Sequence, residues 1–297
     1  MVATLSLECF LKKLFFVLFA VSLSAAVFAE NAAPYVLENT AEHNVHAAEL
    51  KRDYQIMVSL PPSYNTSTRR YPVVFVTDAN YAFPVTRGLA KRVGANGHGL
   101  EEFILVGLGY ANGESAEYSR RRDYTPINPQ MNYVSDMPGR EPRFGEAEGF
   151  RRFIAADVFP LIAQHYRADM ARKVFVGHSY GSLLGLHVLF TQASMFDQYI
   201  LGSPSLWYGK RVMFEREKAF AATHKDLKAR VYFGVGALET GPEENMVADL
   251  KQFEALLRSR HYPGLQLESR VFADEDHLTL APGLITRGLK WTLPGKK

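Results

Sequence analysis

The chain has 297 residues, 47% of them hydrophobic and 22% charged, globular proportions that exclude wholesale disorder. Its 34 basic and 31 acidic residues leave a formal net charge of +3, so the overall charge does not recommend a nucleic-acid partner. The one cysteine, Cys9, excludes a disulfide framework and a cysteine-rich zinc site.

The N-terminus reads as a targeting segment. Lys12-Lys13 precede an apolar run from Leu14 to Ala29, interrupted only by Ser22 and Ser24 and closing on Val27-Phe28-Ala29. A positive start, an apolar centre and a small-x-small exit are the parts of a secretory signal peptide. The alternative is a retained transmembrane anchor, which needs roughly 20 apolar residues, more than this run supplies. Residues 1–29 are therefore expected to be a cleaved signal peptide and residues 30–297 a single domain. The mature protein would hold no thiol and no stable membrane anchor. It would be exported, to the periplasm of a bacterium or, alternatively, as a secreted protein.

Strand-like and helical patterns then alternate along the chain. Asp53 to Leu60 alternates polar and apolar residues and stops at Pro61-Pro62, as a half-exposed antiparallel strand does. Tyr71 to Thr77 and Phe103 to Gly109 are continuous apolar runs, which suit strands buried on both faces of a parallel sheet. Val174–Gly177, Gln198–Gly202, Val231–Gly236 and Leu267–Phe272 repeat that pattern. Between them, Phe150, Phe153, Ile154, Val158 and Ile162 share one helical face, with a kink expected at Pro160. Met246, Leu250, Phe253 and Leu257 make a second stripe. The alternation predicts an α/β fold with a mostly parallel, doubly wound sheet and helices on both faces. Ala111 to Gly149 breaks it, with four prolines and no period. That stretch is read as a long loop over the site-bearing edge of the sheet, against the alternative of a mobile surface loop.

Gly177-His178-Ser179-Tyr180-Gly181 is a G-x-S-x-G sequence set between a short apolar strand and a helical segment. That context is the nucleophile elbow, in which a sharp turn lifts the serine hydroxyl above the sheet. Serine needs a base, and in this arrangement serine, acid and histidine follow in chain order. His277, just after the last strand, is delivered to the same edge as Ser179; His224 and His261 lack such a setting. For the acid, Glu239 follows Val231–Gly236, with Asp274 and Asp276 as rivals and a Ser–His dyad without an acid as the alternative. The oxyanion donors are expected to be the backbone N–H of Tyr180 and one N–H from the turn after Tyr71–Thr77, at Ala79, Asn80 or Tyr81. The nine histidines show no H-E-x-x-H or H-x-x-E-H spacing, and neither a metal nor another cofactor is expected.

Three further residues are candidates for substrate binding. Trp207 walls an apolar pocket or else belongs to the core. Arg122, in the run Arg120–Arg122, attracts an anionic ligand or else is part of a solvated basic face. His178 flanks the nucleophile and shapes the pocket without being the base.

Tyr71-Pro72-Val73 through Thr77-Asp78, Gly107-Leu108-Gly109-Tyr110, Arg122-Asp123-Tyr124-Thr125-Pro126, the elbow, Ser203-Pro204-Ser205-Leu206-Trp207 and Asp276-His277 follow one another in order. In these pieces the chain resembles the putative-esterase (esterase D-like) family of α/β-hydrolases. Within that family it looks most like the periplasmic siderophore esterases that open catechol trilactones of the enterobactin and salmochelin type. The resemblance implies an α/β-hydrolase fold, Ser179 and His277 as catalytic residues and Glu239 in the region of the acid. It also implies a small-molecule ester substrate, a ferric catecholate siderophore being one candidate. A general short-chain carboxylesterase or acyltransferase is the alternative activity, and a non-catalytic binding protein on the same fold is the alternative class.

Overall fold

Among the described residues eight strands form the central sheet, and each apolar run of the mature sequence becomes one of them. They are β1 (Thr40–Ala47), β2 (Arg52–Ser59), β3 (Tyr71–Val76), β4 (Ile104–Ala111), β5 (Ala168–His178), β6 (Gln198–Gly202), β7 (Ala229–Gly236) and β8 (Leu265–Phe272). The computed structural model describes residues 33–130, 133–241 and 244–296. The signal-peptide expectation and Cys9 lie outside the described residues. Everything below belongs to the compact unit Asn39–Lys297.

The sheet order is β1-β2-β4-β3-β5-β6-β7-β8. β1 and β2 pair antiparallel, β2 joins β4 antiparallel, and every pair from β4 to β8 is parallel. The carboxyl ends of β3, β5, β6, β7 and β8 therefore open on one edge. β1 went unrecognised in the sequence because it is an edge strand whose side chains are largely exposed, so no apolar run marks it.

The strand period of two divides the core. Val73 and Phe75 join the larger apolar cluster on one face, while Val74 and Val76 join the smaller cluster on the other. α1 (Ala79–Val93) and α8 (Leu280–Thr292) cover the smaller cluster with Phe83, Leu284 and Leu289. The opposite face is covered by α3 (Ala147–Phe153), α4 (Phe159–His165), α5 (Tyr180–Thr191), α6 (Tyr208–Thr223) and α7 (Met246–Ser259). Helices on both faces of a mostly parallel sheet make this the α/β-hydrolase architecture, as the alternation of patterns predicts. The kink expected at Pro160 is a π-helical turn, Ile154–Val158, between α3 and α4. Proline offers no N–H to the helical ladder, and the wider turn absorbs the loss.

The stretch from Ala111 to Gly149 is only partly loop. It contains α2 (Ala116–Tyr124), capped by the Ser115 hydroxyl, which accepts the Tyr118 N–H at 3.1 Å. α2 has no apolar stripe because the face it buries is ionic, built on Arg122, Asp123 and Ser119.

Candidate active site

The site is assembled from the turns that follow the parallel strands. β5 runs into Ser179, whose backbone is held at φ 58 and ψ −118 immediately before α5. That left-handed φ costs energy in any residue but glycine, and the packing around the turn enforces it. A Cβ on Gly177 would lie 2.4 Å from the carbonyl carbon and oxygen of Gly181, and one on Gly181 would lie 2.3 Å from Thr77 Oγ1. Gly177 lets the strand end lie against the backbone of the first helical turn, and Gly181 leaves room for the Thr77 side chain. The Ser179 N–H donates to the Gly202 carbonyl at 2.9 Å, and the Ser182 hydroxyl lies 2.8 and 2.7 Å from the Gly177 and Gly202 carbonyls, tying the elbow to the end of β6.

The turns after β6, β7 and β8 meet beside it. Ser203 is also left-handed, with φ 39, and its hydroxyl donates to Glu239 Oε1 at 2.6 Å. The Gly236 N–H donates to the same oxygen at 2.8 Å, and His277 Nδ1 bonds Glu239 Oε2 at 2.7 Å. Burial of Glu239 works to raise its pKa, but the bonds from His277, Ser203 and Gly236 outweigh it and hold the carboxyl below its ordinary value. An ionised Glu239 requires the proton on His277 Nδ1, which leaves Nε2 as the basic nitrogen. The Asp276 carboxylate instead accepts the Leu278 and Thr279 N–H groups at 2.8 and 2.9 Å, while Glu239 holds the His277 ring. His224 stacks on Phe220 and His261 is exposed at the end of α7, so neither competes with His277.

Ser179, Ser205, Trp207, Leu238, Met246 and His277 line a cavity of about 300 Å³. Ser205, not recognised as a site residue from the sequence, is buried with its Oγ 3.3 Å from Ser179 Oγ. Trp207 is half-buried: it packs near the rings of Tyr180 and Tyr208, with centroids 6.2 and 6.1 Å away, and still lines the cavity. It is followed by a left-handed turn at Gly209, Lys210 and Arg211, with φ of 55, 57 and 66. The Tyr208 hydroxyl on the Ile127 carbonyl at 2.9 Å and the Arg211–Asp249 ion pair hold that turn from both sides.

Tyr180 opens α5, and Ala79 and Asn80 open α1; first-turn N–H groups have no partner within their own helix. The two helix starts abut, since the Gly181 contact with Thr77 extends to Asp78 Oδ2. The Tyr81 N–H is engaged by the Asp78 carbonyl at 3.2 Å, which leaves Ala79 and Asn80 as the better placed donors. Asp78, left-handed at φ 54, is clamped by the Tyr110 hydroxyl at 2.8 Å and by Arg120 Nε at 3.1 Å, while its N–H donates to the Tyr124 hydroxyl at 3.2 Å.

Two substrate-binding expectations are corrected. Arg122 is 1% exposed and bonds Asp123 Oδ1 at 2.8 Å and Glu114 Oε1 at 2.6 Å, so its charge is spent inside the fold. The run of three arginines suggested a basic face because sequence alone does not reveal buried counter-charges. His178 does not face the cavity; it lines a separate pocket with Thr77, Tyr81 and Leu284. Its ring lies 4.6 Å from that of His277, and burial, then His277, push its pKa down to about 3, so it remains neutral beside the other histidine.

The sequence model of the family described as "Putative esterase" matches residues 47–276. The chain belongs to that family. The esterase is a carboxylic ester hydrolase, and its relatives agree with this assignment. It is 30% identical over 264 residues to the ferri-bacillibactin esterase of Bacillus subtilis (strain 168), with 87% of this chain and 91% of the relative covered. It is also 30% identical over 213 residues to the siderophore triacetylfusarinine C esterase of Aspergillus fumigatus, covering 69% and 70%. Among solved structures, the BES protein of Bacillus cereus superposes with a TM-score of 0.77 at 26% identity, covering 89% of the esterase and 99% of that chain.

Proposed function

We propose that this protein is an exported serine esterase that cleaves the backbone ester bonds of siderophores through an acyl-enzyme. The observation that carries the catalytic part is the 2.7 Å bond between His277 and Glu239, which line one cavity with Ser179 on its elbow. The substrate class rests on the relatives, which are named for siderophore ester hydrolysis. Export rests on the sequence of residues 1–29; among the described residues no helix is long and apolar enough to cross a membrane.

In this mechanism His277 Nε2 takes the proton of Ser179 as Oγ attacks the ester carbonyl. Glu239 stays ionised, orients the imidazole and stabilises the imidazolium. The N–H of Tyr180, with that of Ala79 or Asn80, receives the oxyanion. Collapse breaks the carbon–oxygen bond, and His277 returns its proton to the departing alkoxide. Water, deprotonated by the same nitrogen, then attacks the acyl-enzyme and releases the acid and free Ser179.

The test is covalent labelling with a fluorophosphonate, using Ser179→Ala as the control, followed by a panel of a catechol trilactone and p-nitrophenyl esters of rising chain length. Labelling of the wild type alone, with trilactone turnover above that of the simple esters, is expected. Absence of label together with absence of ester cleavage refutes the serine mechanism. Faster cleavage of the simple esters refutes the siderophore assignment.

A further inference from the structure

Ser182, Ser203 and Ser205 gather around the elbow, and their hydroxyls are engaged differently. The Ser182 hydroxyl is held by the Gly177 and Gly202 carbonyls, and the Ser203 hydroxyl donates to Glu239. Each of these bonds ties one part of the frame to another. Ser205 sits in the turn between β6 and α6. That turn is fixed by the Ser203 N–H on the Gly234 carbonyl at 2.8 Å, the Leu206 N–H on the Pro204 carbonyl at 2.7 Å and the Tyr208 N–H on the Ser205 carbonyl at 3.1 Å. Ser205 is 1% exposed and lines the cavity with Ser179 and His277. Among the described residues its hydroxyl has one hydrogen-bond partner, Ser179 Oγ at 3.3 Å. Burying a hydroxyl costs energy unless it is bonded, and an alanine would fill the turn without that cost. The contact with the nucleophile is therefore what this hydroxyl supplies.

The direction of the bond follows from the donors and acceptors present. Two hydroxyl protons have to be placed, and His277 Nε2 is an open acceptor in the same cavity, because Nδ1 is bound to Glu239. If Ser179 donated to Ser205, the Ser205 proton would have no acceptor and Nε2 no donor. If Ser205 donates to Ser179 Oγ, the Ser179 proton is free for Nε2 and both bonds are made. We propose that Ser205 is a further catalytic residue, a donor to the serine oxygen whenever charge collects on it. This rests on the serine mechanism above and deepens it. As Oγ attacks, its proton passes to His277 and the bond from Oγ to the acyl carbon forms. Ser205 keeps its own proton and steadies the negative charge on Oγ. In deacylation Oγ is the leaving group: its bond to the acyl carbon breaks, His277 returns a proton to it, and the Ser205 hydroxyl again meets the departing oxygen. The oxyanion N–H groups serve the carbonyl oxygen and Ser205 serves the serine oxygen, so neither replaces the other.

The experiment follows p-nitrophenyl acetate by stopped flow with the purified wild type, Ser205→Ala and Ser205→Thr, and takes melting temperature as the check on folding. The burst reports acylation and the steady state reports deacylation. Ser205→Ala is expected to slow both steps about 10- to 100-fold, the loss of one bond to an oxygen that develops charge, with KM within about twofold of the wild type. Ser205→Thr keeps a hydroxyl and is expected to recover acylation to within about threefold of the wild type. Acylation by Ser205→Ala within about twofold of the wild type overturns the inference and leaves the serine mechanism intact, as does a loss that falls on KM with kcat unchanged. A Ser205→Thr protein that melts normally yet loses as much as Ser205→Ala also overturns it, since the effect is then one of packing. A wild type that shows no burst and takes no fluorophosphonate refutes the serine mechanism itself, and the role of Ser205 with it.

Discussion

Replacing Glu239 by glutamine tests whether the site works as a triad or as a dyad. The carboxylate takes three donors: the Gly236 N–H and the Ser203 hydroxyl on one oxygen, and His277 Nδ1 on the other. Glutamine has one acceptor and one donor end. Two donors converge on Oε1, so the amide oxygen settles there and its NH₂ faces His277. The imidazole can then accept from that NH₂ only by moving its proton to Nε2, which removes the base from Ser179. The substitution changes almost no volume, and the bonds that anchor the turn survive. Losing the correct tautomer is expected to lower kcat about 10³- to 10⁴-fold, equivalent to about 4–5 kcal/mol of barrier. The assay is single-turnover acylation by p-nitrophenyl acetate, followed by stopped flow, with melting temperature as the check on folding. A fall of less than about tenfold in a normally melting Glu239→Gln protein refutes the argument and identifies a Ser–His dyad.

Three further outcomes follow from buried structure. Arg122→Ala strips Asp123 and Glu114 of their shared cation and is expected to destabilise the fold by about 3 kcal/mol or more in urea unfolding, with no preferential change in KM for charged esters. Gly177→Ala drives a Cβ into backbone and is expected to abolish soluble expression, whereas Gly88→Ala, on an exposed stretch of α1 with nothing within 4 Å, is expected to stabilise by about 0.5–1 kcal/mol. His187 is buried between Glu148 and Arg216, and burial, then Arg216, push its pKa down to about 4 from an ordinary 6.5. The unfolded chain binds the proton more readily, so this histidine's contribution is present above pH 6.5 and is lost as pH falls toward 4. The loss amounts to about 2 kcal/mol by pH 5. His187→Gln is expected to flatten melting temperature between pH 7 and pH 5, and an unaltered slope would refute this assignment.

What could be read from the sequence was whatever burial writes as apolar residues. β3, β4, β6 and β7 are buried almost throughout, and each shows as an apolar run. The elbow was legible because sterics dictate its glycines, and His277 and Glu239 because strand order dictates which loops reach that edge. The rest is polar structure. α2 buries ions in place of a hydrophobic stripe, so hydropathy leaves it as loop and presents Arg122 as a surface cation. Ser203 and Ser205 act through a positive φ and a hydroxyl contact, neither of which has a periodic signature.

The left-handed turn after Trp207 has a consequence for how this protein responds to selection. Two of its three residues, Lys210 and Arg211, pay roughly 1–2 kcal/mol each for that backbone, and the same turn holds the wall of the cavity. Heat resistance and substrate fit therefore pull on one short segment. Lys210→Gly relieves the backbone and is a gain in a screen for thermal survival alone, yet it slackens the support under Trp207. Lineages adapting to warmer conditions are thus expected to leave this turn untouched where the native ester is still required, and to relax it first where it is not.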